Sequence, residues 1–437
     1  MIPAFLCLGL SGALWAQVFP VPPLVPEIEQ STQTFQRDMP AELRALSSQQ
    51  LGSMEYVFSY IQKHYIEPVK QEQLLQGARK GLAGKVGPFS REQLYYGAMS
   101  GAVDTLHDAH SQYFPPEDTQ VLEDVLHGSQ VGLGLTLPRG RQAGEPLIVF
   151  PQSGSPAEKA GIKFGDEVLE VDGVAVRAMT TAECDAKLSG PENSSVVLTI
   201  LRENAPAALT IYVSREKFEG PNVFSRMLRG KKGYVYLNSF RWEDSSHNTA
   251  VEVLMHIYAL QQAGASGFIL DLRHNGGGDI RAVQVLASAF LKRGEVWVGL
   301  KDRQGRQSVL SPPEDGMFVD LPVRILVDSE SASGSEIFTA ALQENHRAKV
   351  YGERTYGKGS AQSLITFKDD SVLALTIHRW YTPSGRSIDG ERDGTGGVLP
   401  DVLKAGQPKA VVNILLELNQ LPIEEPLPDP VLEEALK

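Results

Sequence analysis

The chain has almost no cysteine. Of its 437 residues only Cys7 and Cys184 carry a thiol. Cys7 falls in an apolar N-terminal run, so once that run is removed no intrachain disulfide can form, and no zinc knuckle can be built. Basic residues are outnumbered: Lys and Arg total 41 against 53 Asp and Glu, a formal net charge of −12. That balance argues against an extended phosphate-binding surface and against nucleic acid as a partner. Long hydrophobic runs are also missing. The apolar stretch at residues 2–16, IPAFLCLGLSGALWA, is too short to span a bilayer comfortably. It ends in small residues and reads as a secretory leader, so export to the periplasm, cell envelope or medium is expected. The Lys or Arg that usually follows Met1 is absent, which leaves an uncleaved anchor as the alternative. No H-E-x-x-H or comparable ligand spacing occurs, so neither a metal nor another cofactor is expected.

What is present is a globular composition, 42% apolar, with length for about three domains. After a Pro-rich spacer, VFPVPPLVPE, residues 27–126 read as helical. SMEYVFSYIQKHY and EQLLQGARKGLAG carry apolar residues at three-to-four spacing, and IEPV and GPFS interrupt them. No chemistry is visible there; the region suits packing or self-association into a homo-oligomer. Residues 128–216 change to short β-branched runs, PLIVF, DEVLEVDG, SSVVLTILR and ALTIYVS, separated by turn residues. Within them the spacing predicts a helix start at Ser155-Pro156, a stop at Gly161 and a strand pair turned at Asp172-Gly173.

Strands and helices alternate through residues 217–405: GYVYLNSF, a helix near 247–263, GFILDLRHNGGG, a helix near 279–292, VRILVDS, a helix near 335–345, then AKVYGE. Such alternation predicts an α/β layer fold around a largely parallel sheet, with ligands at the carboxyl ends of the strands. The glycine-rich turn after FILDLR and the serine-rich turn after RILVDS sit at such ends. Residues 406–437 form an acidic, proline-rich tail around a short helix and carry no recognisable chemistry. The fold class is multidomain α/β: an N-terminal helical region, an inserted mostly-β domain and an α/β layered core.

In VDSESASGSEIFTAALQ a strand runs through a polar turn into a helix with an apolar face. Ser333 with Glu336 has capping-box spacing. A serine there can equally be a nucleophile, since free amides at a helix N-terminus stabilise an oxyanion, and the residues alone leave both readings open. No G-x-S-x-G elbow or histidine triad pattern supplies a base; His346 reads as a solvated helix end and His274 as a loop residue. Lys358, between Gly357 and Gly359 and ahead of the apolar strand SLITF, can serve if burial keeps its amine neutral. Gly352 with Gly357-Lys358 also matches the front of a phosphate-binding loop. Gly359, however, replaces the hydroxyl residue that holds magnesium, which makes nucleotide binding the weakest reading.

The stretch VGLGLTL (131–137) with the pattern at 155–175 resembles a PDZ domain. That implies that the amides around Leu133, Gly134 and Leu135 receive a peptide C-terminus while the peptide adds as a strand. Together FILDLRHNGGG, SASGSEI, RAKVYGERTYGKGSAQ and WYTPSGRSIDG with GVLPD resemble the carboxyl-terminal processing peptidases. YIEPV and LHDAHSQYF extend the likeness over roughly residues 50–405. The resemblance implies an exported serine endopeptidase acting on proteins or peptides with apolar C-termini, built from the helical region, the PDZ-like domain and an α/β protease core. It makes Ser333 the nucleophile, Lys358 the base and Gln362 the residue that orients the lysine. The oxyanion donors it implies are the amides of Gly334 and of Gly276 or Gly277. The family usually has alanine where Gly334 stands, and a proline often follows the aspartate of LHDAHS. A silent peptide-binding scaffold of the same fold is the rival from a different class.

Overall fold

The computed structural model describes residues 35, 43, 46–82, 90–119, 129–137, 143–152, 154–163, 165–203, 205–220, 222–390, 396–406 and 429–437. The leader expected at residues 1–16 lies outside them. The chain divides into two compact units, Met1–Leu122 with Val298–Leu310 and Gly359–Asp389, and Glu123–Trp297 with Ser311–Lys358 and Gly390–Lys437.

In the first unit the helical periodicity gives α1 (Ser48–His64), α2 (Gln71–Leu82) and α3 (Arg91–Asp104). Ser47 and Ser90 start α1 and α3 through reciprocal capping with Gln50 and Gln93. Glycines let α2 and α3 approach closely, since a Cβ on Gly77 would lie 2.3 Å from the Gly101 carbonyl oxygen. Met54, Phe58 and Ile61 of α1, Leu74 of α2 and Met99 of α3 share a core with Leu373, Leu375 and Ile377. These last three belong to strand Val372–Tyr381, the centre of an antiparallel sheet with Gln112–Phe114, Val298–Asp302, Gln307–Leu310 and Ser360–Thr366. Strands from late in the chain therefore complete the helical region, because three helices need an apolar sheet face to bury their own.

In the second unit the mostly-β domain pairs Ser129–Gly132 with Glu216–Glu219. Beside this lies an antiparallel sheet in the order Leu135–Thr136, Leu147–Pro151, Asp166–Val171, Ser195–Leu201, Leu209–Ser214. Helices α4 (Pro156–Lys159), capped by Ser155, and α5 (Thr181–Leu188) accompany it. Asp172 and Gly173 turn the hairpin with φ of 50° and 75°, the paired left-handed conformations of a type I′ turn. Cys184 is buried in this domain's core among Leu147, Val168 and Leu198.

The layered core is a six-stranded sheet in the order Val223–Leu228, Lys232–Leu237, Gly267–Asp271, Val323–Val327, Ala348–Gly352, Val402–Leu403. The first pair is antiparallel and the rest parallel. Its helices are α6 (Thr249–Gln262), α7 (Ile280–Phe290) and α8 (Gly334–Glu344). The tail contributes α9 (Pro430–Leu436), whose Val431 and Ala435 cover Tyr234, Tyr236, Ile269, Leu326 and Tyr351. A sheet of this kind must bury both faces, and α9 closes part of one. Among the described residues no helix is long and apolar enough to cross a membrane.

Candidate active site

Strands 267–271 and 323–327 are parallel neighbours, so the chain leaves both at the same end and the glycine and serine turns lie side by side. Hydrogen bonds stitch them. Ala332 N–H and the Ser335 hydroxyl donate to the Asn275 carbonyl at 3.0 and 2.8 Å, and the Ser331 hydroxyl donates to the Leu272 carbonyl at 2.8 Å. Asn275 is fully buried; its amide donates to the Leu237 carbonyl (2.9 Å) and its Oδ1 accepts the Gly277 N–H (2.8 Å). Gly277 has φ 101°, and a Cβ on it would lie 2.7 Å from Gly334 N and 2.9 Å from Ser333 Cβ. Only glycine fits so close to the serine turn. Gly276 is exposed, with open space around it.

Ser333 has φ 52° and ψ −113°, outside the extended region an N-cap adopts. Such a conformation costs about 1–3 kcal/mol and is characteristic of functional turns. A sharp strand-to-helix turn of this kind presents a serine oxygen outward. Gly334 follows as the first residue of α8, where backbone N–H groups lack helical partners.

Glu336, also in the first turn of α8, is fully buried. Its Oε2 accepts the backbone N–H groups of Ser333 (2.8 Å) and Lys358 (3.0 Å). Its Oε1 accepts the Thr355 hydroxyl (2.5 Å) and the Gly357 N–H (2.7 Å). Burial pushes its carboxyl above the ordinary range, against the opposing pull of these hydrogen bonds. The carboxylate half of the expected capping box thus exists, but it also holds the lysine turn. Lys358 itself is half-buried, following Gly357 at φ 97°.

Gln362 stands in strand Ser360–Thr366 of the first unit, beside a register shift after Ala361; its amide donates to Ser360 Oγ (3.0 Å) and Thr376 Oγ1 (3.1 Å). In the PDZ-like domain the carbonyls of Leu133 and Gly134 accept the N–H groups of Ala157 and Gln152, both at 2.8 Å, and Leu135 pairs with Pro151. Gly134 has φ 69°, and a Cβ there would strike Ser155 Cβ at 2.2 Å.

Behind the glycine turn lies a buried polar network that the residue pattern alone did not disclose. Asp271 accepts the Tyr234 hydroxyl (2.7 Å) and the Arg273 guanidinium, whose other edge donates to both oxygens of Asp429 at 3.0 and 2.8 Å. Asp429 caps α9 by accepting the Leu432 N–H (3.0 Å). The tail is thereby fastened to the strand that enters the glycine turn. An acid and an arginine at the end of a buried strand were the available signal.

Residues 231–403 match peptidase family S41, and residues 149–202 match the PDZ domain. A probable CtpA-like serine protease of Staphylococcus aureus is 32% identical over 316 residues, covering 72% of this chain and 60% of the relative. The carboxy-terminal processing protease CtpA of Bacillus subtilis is 31% identical over 315 residues, 72% of this chain and 66% of its own length. The solved photosystem II D1 C-terminal processing protease superposes with a TM-score of 0.55 at 27% identity, covering 86% of this chain and 98% of that one. The chain spans under two thirds of the length of the staphylococcal relative, yet its two matched domains and its fold agree with these proteins. It belongs to the carboxyl-terminal processing peptidases of family S41, with a PDZ domain ahead of the peptidase domain.

Proposed function

We propose that this chain is a serine endopeptidase that takes proteins by their C-termini and cleaves them with a Ser333–Lys358 dyad. The observation that carries the reading is the strained turn at Ser333, pinned through Glu336 to the turn that presents Lys358. Ser333 Oγ attacks the scissile carbonyl while the neutral Lys358 amine takes its proton; the resulting ammonium then protonates the leaving amine, and water releases the acyl group. The Gly334 N–H is one donor to the oxyanion. Gly276 is the better second donor, because the Gly277 N–H is already held by Asn275. Gln362 is assigned from the resemblance as the residue that orients the lysine.

The PDZ domain, within 128–216, receives the substrate's carboxylate near Leu133, Gly134 and Leu135, and the preference for apolar C-termini is carried over from the family resemblance. Export rests on the N-terminal apolar run, and self-association on the helical region. The test is cleavage of an unfolded protein bearing an apolar C-terminus. Ser333→Ala should abolish it. A purified wild-type chain that binds such a protein without cutting it would be the scaffold instead.

A further inference from the structure

His274 stands between the two turns and takes no part in the chemistry above. Its backbone is left-handed, with φ 62°, and its N–H donates to Asp328 Oδ1 at 3.0 Å. Its ring Nε2 lies 3.1 Å from Asp328 Oδ2, and its Nδ1 lies 3.2 Å from Glu330 Oε2. Both carboxylates belong to the serine turn, where Asp328 Oδ1 also accepts the N–H groups of Glu330 and Ser331. The imidazole is 16% exposed. Nδ1 is hydrogen-bonded to Glu330 and Nε2 lies within ion-pair distance of Asp328, and two carboxylates facing one ring favour the imidazolium, whose two N–H groups can serve both. The neutral ring would leave a lone pair against one of the carboxylates.

We propose that His274 is a positioning residue: as imidazolium it clamps the glycine turn to the serine turn and so sets the Gly276 N–H relative to Ser333. Its effect on turnover rests on the peptidase reading; the clamp itself does not. Asp328 and Glu330 both lie within ion-pair distance of the ring, while the adjoining Arg273 turns its guanidinium to Asp271 and Asp429. The clamp is complete where the ring carries both protons and is lost as rising pH removes one. Lys358 demands the opposite, since its amine works only when neutral, so the two requirements bound activity from the alkaline and acid sides. Glu330→Gln separates them, because a glutamine can donate to the bare nitrogen as readily as it can accept from N–H.

The experiment follows kcat, KM and thermal unfolding of the wild type, His274→Gln and Glu330→Gln from about pH 5 to pH 9. Histidine-labelled NMR accompanies it, with the His274 signal assigned by its loss in His274→Gln. His274→Gln should lower kcat on the order of tenfold or more with KM nearly unchanged, as expected when only the transition state loses its donor. Glu330→Gln should abolish the alkaline fall in kcat and move the His274 titration to lower pH. Wild-type kcat in His274→Gln at every pH, or the same His274 titration in Glu330→Gln as in the wild type, overturns the clamp. Should His274→Gln fail to fold, Glu330→Gln at the more exposed position still carries the kcat readout, the alkaline fall persisting unchanged being the result that overturns the clamp. A wild type that cleaves nothing would refute the peptidase reading, while the NMR titration would still decide the clamp.

Discussion

The backbone N–H groups of Ser333 and Lys358 donate to one and the same oxygen, Oε2 of Glu336, at 2.8 and 3.0 Å. Two turns far apart in the chain are thereby held through a single buried atom. Glu336→Gln keeps the shape but offers one acceptor oxygen where the four donors use two. It should cost about 1–3 kcal/mol of stability and lower kcat more than it raises KM.

Burial raises the folded carboxyl of Glu336 above its unfolded range. Its contribution is therefore fully present below the unfolded range and lost as pH rises through the raised value. The difference in melting temperature between wild type and Glu336→Gln should narrow from acid toward neutral pH. A widening difference would mean that the four hydrogen bonds outweigh burial.

Lys358→Ala and Lys358→Arg should both lose about 10²- to 10⁴-fold in kcat, the range of a lost general base, since arginine does not deprotonate. Substantial turnover in the Arg variant would show that the lysine acts only as a charge. Gln362→Ala should cost less, because the orienting role proposed for it would support the base without replacing it.

Asp429→Ala removes a bidentate partner from the buried Arg273 and should destabilise the protein by about 3 kcal/mol, measured by urea unfolding. An effect no larger than that of a solvent-exposed substitution would show that the tail's ion pair contributes nothing.

A non-cleavable apolar C-terminal peptide should stimulate turnover of a chromogenic substrate too short to reach the PDZ domain, if that domain gates the site as well as tethering substrate. A gating ligand must bind two arrangements unequally. Gly134→Ala should erase the stimulation by colliding with Ser155. An unchanged rate at saturating, independently verified binding would leave tethering alone.

A chelator should leave activity intact, since the proposed Ser333–Lys358 dyad needs no metal. Loss restored by added zinc would overturn the dyad.

Much of this was legible in the residues because it is local. The periods of the helices and strands, the turn at Asp172-Gly173, the cap at Ser155 and the glycine and serine turns at strand ends all follow from backbone preferences acting over a few positions. The choice of Ser333 and Lys358 as candidates followed from side-chain chemistry and family resemblance. What the sequence could not decide was anything that depends on distant segments meeting. Glu336 read as half of a capping box, and only tertiary structure makes it the shared acceptor for the Ser333 and Lys358 turns. His274 read as a loop residue until two carboxylates on a neighbouring turn faced its ring. The tail read as featureless, yet Asp429 reaches Arg273 and α9 covers an apolar sheet face. Strand residues 360–381 fall outside the parallel sheet and supply part of the core of the helical region. Each of these is set by burial: a polar group removed from water must find partners wherever the fold brings them, and no pattern along the chain records which ones those will be.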